Sequence, residues 1–223
     1  MGKSVFDIKS DFHVHTVSSG HAFSTLYENA LFAKKHNIRT IAITDHGSGM
    51  TNAPLLSYFE NSYRVPNTVE GVQVLFGCET NILNCDGMLD LPDNILKNLD
   101  IVLASIHPDT PYSANDIDAN TSAIINCMKS KKVDIITHPY THYFPTRIED
   151  VVLSSIEYDV LLEINYSLLV RSINANDLVT ISEMRKMVDL LNSNNRSYII
   201  NSDAHICTSE QSSQWKSSLK RHT

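Results

Sequence analysis

The sequence predicts an α/β fold, a small (β/α)7 barrel, on three observations. Seven short runs rich in aliphatic and β-branched residues recur along the 223 residues. Runs such as Ile101-Val-Leu-Ala-Ser105 and Val133-Asp-Ile-Ile-Thr137 are continuous rather than alternating, which suits strands of a parallel sheet covered on both faces. Helical patterns lie between the runs, giving βαβ units. An open doubly wound sheet is the main alternative with the same alternation.

The elements follow in order. A first strand is expected over 7–12. Thr25-Leu-Tyr-Glu28 then has the form of a capping box, with Leu26, Ala30 and Ala33 at helical spacing behind it. The second strand falls near 38–44. Residues 48–70 are polar and poorly periodic, a loop with one weak helix. The third and fourth strands fall near 72–78 and 101–105. Asn115 is placed to cap a helix through Lys129 that turns Ile117, Ile124, Ile125 and Met128 inward. Strands five and six are expected over 133–137 and 160–164. Leu178, Ile181, Met184, Val188 and Leu191 repeat at spacings of three and four within a helix over 174–194. The seventh strand falls near 197–201. No linker, low-complexity stretch or internal repeat interrupts the chain, so residues 1–223 are expected to form a single domain.

Composition narrows the function classes. With 18 basic and 25 acidic residues the formal charge is −7, which disfavours sequence-independent nucleic-acid binding. No stretch approaches the roughly 18 apolar residues of a membrane span. The opening MGKSVFDIKSDF has no apolar h-region, and the four Cys (Cys78, Cys85, Cys127, Cys207) form no C-x-x-C pair. These features fit reduced thiols in a cytoplasmic protein. A homo-oligomer is compatible with the sequence.

The polar residues cluster where the apolar runs end. Asp11-Phe-His13-Val-His15 follows the first run, Thr44-Asp45-His46-Gly47 the second and Glu79 the third. His107, His138, Glu163-Ile-Asn165 and Asp203-Ala-His205 follow the other four. On a parallel barrel the C-terminal strand ends meet on one face. His13 and His15, two apart on a strand, point to the same side, and Asp203 and His205 repeat that spacing. Strand-end windows of about four residues cover roughly an eighth of the chain, so chance would place about one of the ten His there under a barrel reading. His13, His15, His46, His107, His138 and His205 all fall there. His36, His142 and His222 lie outside and read as surface residues. Imidazole and carboxylate donors without Cys suit Zn²⁺, Mn²⁺ or Fe²⁺, and the set is too large for one ion.

The segments DFHVHTVSSGHAFST, IAITDHG, FGCETNI, SIHP, THPY and NSDAH together resemble the PHP (polymerase and histidinol phosphatase) family, in its short, stand-alone, YcdX-like phosphatase branch. The resemblance runs from about Asp11 to His205. It implies a distorted seven-stranded barrel holding three divalent ions, Zn²⁺ first, with Mn²⁺ or Fe²⁺ as alternatives. His13, His15, Glu79 and Asp203 would hold the first ion, and His21, His46 and His205 the second. His107, His138 and Glu79 would hold the third, Glu79 bridging it to the first. His21 joins the set through the resemblance alone. Two departures stand out. The chain after His205 is short, polar and weakly periodic where relatives continue through a further helix, which bears on barrel closure. Tyr166 replaces a small polar residue and is expected to alter the rim of the pocket.

Two carboxylates against three divalent ions would leave the pocket positive, so the implied substrate is anionic, most simply a small phosphorylated compound. The implied activity is a metal-dependent phosphoric ester hydrolase. A metal-activated hydroxide attacks phosphorus, with Glu79, His13 and Asp203 acting through it. Asp45 and Asp11 are candidates to orient His ligands. Arg171 is a candidate to meet the phosphate, whereas Arg147 reads as a surface residue. Histidinol-phosphate phosphatase, a PHP-type nuclease and a non-catalytic metal-binding module are the alternatives. The last is opposed by a ligand set with no member missing.

Overall fold

The computed structural model describes residues 9–113 and 116–207. In chain order the elements are β1 (Ser10–Val14), α1 (Leu26–Lys35), β2 (Thr40–Ile43), α2 (Leu56–Glu60), β3 (Thr68–Val69), β4 (Val72–Asn81), α3 (Asp93–Leu96) and β5 (Ile101–Ser105). They continue with α4 (Ile117–Lys129), β6 (Ile135–Ile136), α5 (Ile148–Tyr158), β7 (Leu161–Asn165), α6 (Tyr166–Ala175), α7 (Leu178–Ser193) and β8 (Ile199–Asn201).

The sheet runs β1-β2-β4-β5-β6-β7-β8, every link parallel, with β3 added as an antiparallel flap on β4. Its two ends meet. Val14 bridges Ala204 in parallel, His15 N donates to Ala204 O at 2.9 Å, and Asp203 N donates to His13 O at 2.9 Å. The result is a seven-stranded parallel sheet nearly closed into a barrel. Ile43, Leu103, Ile136 and Leu162 are fully buried between strands and helices, each contributing about 1.5–3 kcal/mol by leaving water.

Local sequence explains most boundaries. Thr25 and Glu28 form the reciprocal capping box that starts α1: Thr25 Oγ1 accepts from Glu28 N, and Glu28 accepts from Thr25 N at 2.7 Å. The expected cap Asn115 lies outside the described residues, and Asp116 caps α4 by accepting from Asp118 N. The loop expected over 48–70 contains α2, a 3₁₀ turn at Ser62–Arg64 and β3. The third strand is longer than expected, reaching Asn81, so Glu79 sits within it rather than past its end.

Three helices, α3, α5 and α6, have no counterpart in the sequence reading. In α5, Ile148, Val151, Val152 and Ser155 make a buried stripe at helical spacing, with Glu149 and Asp150 in the first turn. In α6 the chain passes from strand to helix without a loop: Asn165 ends β7, and its side chain caps the helix by accepting from Leu168 N at 2.9 Å. The helix expected from residue 174 starts instead at Leu178, because Asn176 closes α6 in a left-handed conformation (φ 54°) and Asp177 caps α7. Among the described residues, no helix is long and apolar enough to cross a membrane.

Candidate metal centre

The C-terminal face of the barrel gathers the side chains that the strand-end pattern selects. His13 is on β1 and His15 just past it, on the same side of the strand direction. Glu79 comes from β4, with His46 bridged to it across the face. His107 follows β5, His138 follows β6, and Asp203 and His205 follow β8. His138 (φ 33°) and Asp203 (φ 54°) are both left-handed, a conformation that costs a non-glycine residue about 1–3 kcal/mol.

Glu79 is the hub. Its Oε2 lies 3.1 Å from His13 Nε2, 3.4 Å from His15 Nε2 and 3.1 Å from His46 Nδ1. Its Oε1 lies 3.2 Å from His107 Nε2 and 3.1 Å from His138 Nε2. Asp203 Oδ1 lies 3.2 Å from His15 Nε2 and 3.6 Å from His13 Nε2. His205 Nε2 meets His21 Nε2 at 3.0 Å, so the loop after β1 brings His21 to the same face. Three sets place their donor atoms within 4.8 Å of one another and could hold a metal ion: His13, His15 and Asp203; His15, His46 and His205; and His46, Glu79 and His107. His46 Nδ1, Glu79 Oε2 and His107 Nε2 are buried at contact distance yet form no hydrogen bond. Buried donors and acceptors are normally satisfied, so convergent donors left this way fit divalent cations.

Four of the imidazoles are aimed from behind. His13 Nδ1 donates to Glu163 Oε1 at 2.7 Å, and Glu163 also accepts from Asn201 Nδ2 at 2.9 Å and Asn165 Nδ2 at 3.2 Å. Ser19 Oγ lies 3.0 Å from His15 Nδ1 and donates to Asp45 Oδ1 at 2.6 Å. His107 Nδ1 donates to Asn81 Oδ1 at 2.8 Å. Asn81 is fixed in turn by Asp90, which also accepts from Thr80 and Gly49. A Cβ on Gly47 would lie 2.2 Å from the Asp90 carboxylate, so only glycine lets that side chain in. Ser105 Oγ lies 3.1 Å from His138 Nδ1. Imidazole–carboxylate and imidazole–amide pairs of this kind fix the tautomer that presents the other nitrogen to the site.

The charges follow from burial and neighbours. Burial opposes the charge on Glu79 and Asp203, but imidazoles led by His13 hold both well below the ordinary carboxylate range. Against burial, Glu79, Glu163 and Asp203 raise His13 well above its ordinary value. Hydrogen bonds to Asp203 and Glu79 likewise push His15 up to about 9. Burial, then the charge on His15, lowers His46 far below its ordinary value and His205 to about 4.

The remaining predicted residues separate. Asp45 is fully buried, and its carboxylate is taken by Thr16, Ser19 and Tyr58. It reaches the centre through Ser19, whose Oγ lies against His15 Nδ1 and accepts from His46 N at 3.2 Å. Asp11 sits in the β1–β8 seam, accepting from His13 N and Ser202 N, and burial raises it to about 6. Arg171 lines the cavity of about 620 Å³ that opens above the cluster. Arg147 pairs with Asp118 on the surface. Tyr166 does not form the expected rim. It is buried and lines a separate cavity of about 330 Å³ between α1, α6 and the seam. His222 lies outside the described residues. The sequence reading gave no role to Glu163, Asn81, Asp90, Ser19 or Ser105. For Glu163 and Asn81 a signal was present: each shares its strand with a neighbouring polar residue at i±2, placing both on one face.

Comparison with known proteins agrees with this geometry. The sequence matches the PHP domain family over residues 11–191. A probable phosphatase of Caldanaerobacter subterraneus subsp. tengcongensis is 40% identical over 206 residues, which cover 92% of this chain and 80% of the relative. A probable phosphatase of Clostridium novyi is 39% identical over 197 residues, 88% of this chain and 79% of the relative. Among solved structures, a histidinol phosphate phosphatase from Lactococcus lactis, complexed with zinc, L-histidinol and phosphate, is similar with a TM-score of 0.66. It is 16% identical, and the match covers 96% of this chain and 93% of that one. A chain of an archaeal ribonuclease P with mature tRNA is similar with a TM-score of 0.53 at 12% identity, covering 86% of this chain and 74% of that one. At these identities the two solved structures bear on the fold alone.

Proposed function

The chain belongs to the PHP domain family, and from that membership we propose that it is a metal-dependent phosphatase that hydrolyses small phosphomonoesters. The observation that carries the reading is the single carboxylate of Glu79 with five imidazole nitrogens within 3.4 Å, split between its two oxygens.

In this reading His13, His15, Glu79 and Asp203 would hold one ion, and Glu79, His107 and His138 would hold another. His21, His46 and His205 would hold a third. The N and O donors suit Zn²⁺, with Mn²⁺ and Fe²⁺ as the other candidates. Bound divalent ions supply a water nucleophile active near neutral pH and draw charge from the phosphoryl oxygens. The chain supplies the rest. Glu163, Ser19, Asn81 and Ser105 hold their imidazoles in one tautomer, so the donor atoms need no reorganisation when phosphate enters. Arg171, on the cavity wall, offers a guanidinium to a phosphate dianion. The organic part of the substrate faces the mouth, between Tyr143, Phe144 and Leu168.

The test is metal analysis of protein purified without chelators, followed by assay of an aryl phosphate, histidinol phosphate, a phosphodiester and single-stranded DNA. The expected result is monoester hydrolysis that chelator abolishes and Zn²⁺ or Mn²⁺ restores. Fewer than about two metal equivalents after reconstitution would contradict a polymetal site of this kind. Cleavage of single-stranded DNA without monoester hydrolysis would replace the phosphatase reading with a nuclease.

A further inference from the structure

We propose that His142, oriented by Asp177, is the proton donor to the departing alkoxide, which makes the site competent for alkyl phosphates as well as for activated aryl ones. The inference rests on the phosphatase reading and adds a residue outside the metal-binding groups.

His142 lies four residues past His138, in the loop that follows β6, and lines the same cavity as Glu79, His107 and His138. Its Nδ1 is 2.7 Å from Asp177 Oδ2, and its backbone N donates to Thr180 Oγ1 at 3.2 Å. Asp177 is itself fixed, because its other oxygen caps α7 by accepting from Thr180 N at 3.1 Å. Against the cost of its partial burial, hydrogen bonds from Thr180 and His142 hold the Asp177 carboxyl below its ordinary value. The Tyr143 ring packs on the imidazole with centroids 3.9 Å apart. The other charged side chains lining this cavity outside the ligand set are Asp109 and Arg171.

A carboxylate on Nδ1 fixes the ring's orientation and tautomer, leaving Nε2 as the nitrogen that exchanges a proton with a ligand. The His142 side chain is 43% exposed, open to the cavity mouth rather than locked in the core. Phosphate held at the cavity floor puts the ester oxygen and its organic group toward that mouth. In the in-line step the water oxygen bonds to phosphorus and the phosphorus–ester oxygen bond breaks, its electron pair going to the ester oxygen. That oxygen takes the Nε2 proton of His142, and the proton lost by the attacking water returns the imidazole to its charged form. The balance is ester plus water to alcohol plus phosphate. An aryl oxide that is already a stable anion needs little of this help, whereas an alkoxide needs it fully.

The competing account is a latch: the pair ties the post-β6 loop to the start of α7 and does nothing chemical. Leaving-group dependence separates the two. With H142A and D177N, kcat is measured on p-nitrophenyl phosphate and on a simple alkyl phosphomonoester, using the metal-loaded protein. The expected result is that H142A lowers the alkyl kcat roughly 10²–10⁴-fold further than the aryl kcat. The double variant H142A/D177N should add no further discrimination. In metal-free protein, ¹⁵N NMR should show that the neutral His142 ring keeps its proton on Nδ1, and that this proton redistributes in D177N. An equal loss on both substrates overturns the proposal in favour of the latch, as does a neutral His142 tautomer carrying its proton on Nε2. A wild-type protein that hydrolyses the aryl ester and no alkyl ester overturns the proton-donor role alone. One that hydrolyses neither removes the phosphatase reading, and this role with it.

Discussion

Glu163→Gln tests whether the buried second layer tunes the metal centre. Glu163 is fully buried, and its Oε1 takes the Nδ1 proton of His13 at 2.7 Å. Glutamine keeps the shape and an acceptor but removes the charge. A hydrogen bond to a charged group contributes about 1.5–3 kcal/mol and a neutral one about 0.5–1.5, so the exchange costs the His13 orientation about 1–2 kcal/mol. That corresponds to roughly a 5- to 30-fold loss of metal affinity, overlapping the 10- to 100-fold range for such partners. With the amide oxygen kept toward His13 and Asn201, the glutamine NH2 faces Asn165 Nδ2, donor against donor, so a modest fall in Tm accompanies the substitution. The pH dependence is diagnostic. In the metal-free protein Glu163 helps His13 hold a proton that a metal must displace. The variant faces less of that competition at low pH, so its affinity deficit widens as pH rises. The assay is competitive titration with a chromogenic chelator across pH, with circular dichroism to verify folding. Unchanged affinity in folded protein, or a deficit that shrinks with rising pH, would refute the coupling.

Three further outcomes follow from the same geometry. Glu79→Gln removes the charge shared by five imidazoles, and elemental analysis should find at least one ion lost and most turnover gone with the fold retained; full occupancy with wild-type turnover would exclude the bridge. The His15 value of about 9 lies above its ordinary 6.5, so its proton stabilises the metal-free fold fully below pH 6.5, and that contribution fades as pH rises through about 9. Metal affinity, measured by calorimetry, should therefore climb across that window, and a flat profile would contradict the proton–metal competition. Asp90→Ala strips the acceptor from Thr80, Asn81 and Gly49 and frees Asn81 behind His107. Urea denaturation should show a loss of at least about 2 kcal/mol, with weaker metal retention, and a change within 0.5 kcal/mol would show that the network is dispensable.

The α/β class and the barrel were legible because continuous aliphatic runs such as IVLAS suit strands covered on both faces, by helices outside and by the barrel interior within, a constraint local enough to read by eye. The Thr25–Glu28 cap was legible for the same reason, since both partners lie within one turn. The strand-end histidines were visible because the C-terminal ends of parallel strands must converge, whatever the distance along the chain. The sequence alone did not reveal α6, because Asn165 serves at once as the last strand residue and the helix cap, so no turn residues mark the change. It placed Tyr166 at the pocket rim, whereas the first turn of α6 carries that ring into the neighbouring cavity, which shares Arg171, Asp203 and His205 with the site. Only the tertiary structure decided how the donors pair. His21 and His205 are 184 residues apart, as the separation of their contact shows, and Glu163 stands 150 residues from His13. Those partners are chosen by barrel register and loop path, and register is a property of all the strands together. His142 read as a surface residue for the same reason: its meaning depends on Asp177, which reaches it only because two helices end and begin beside its loop.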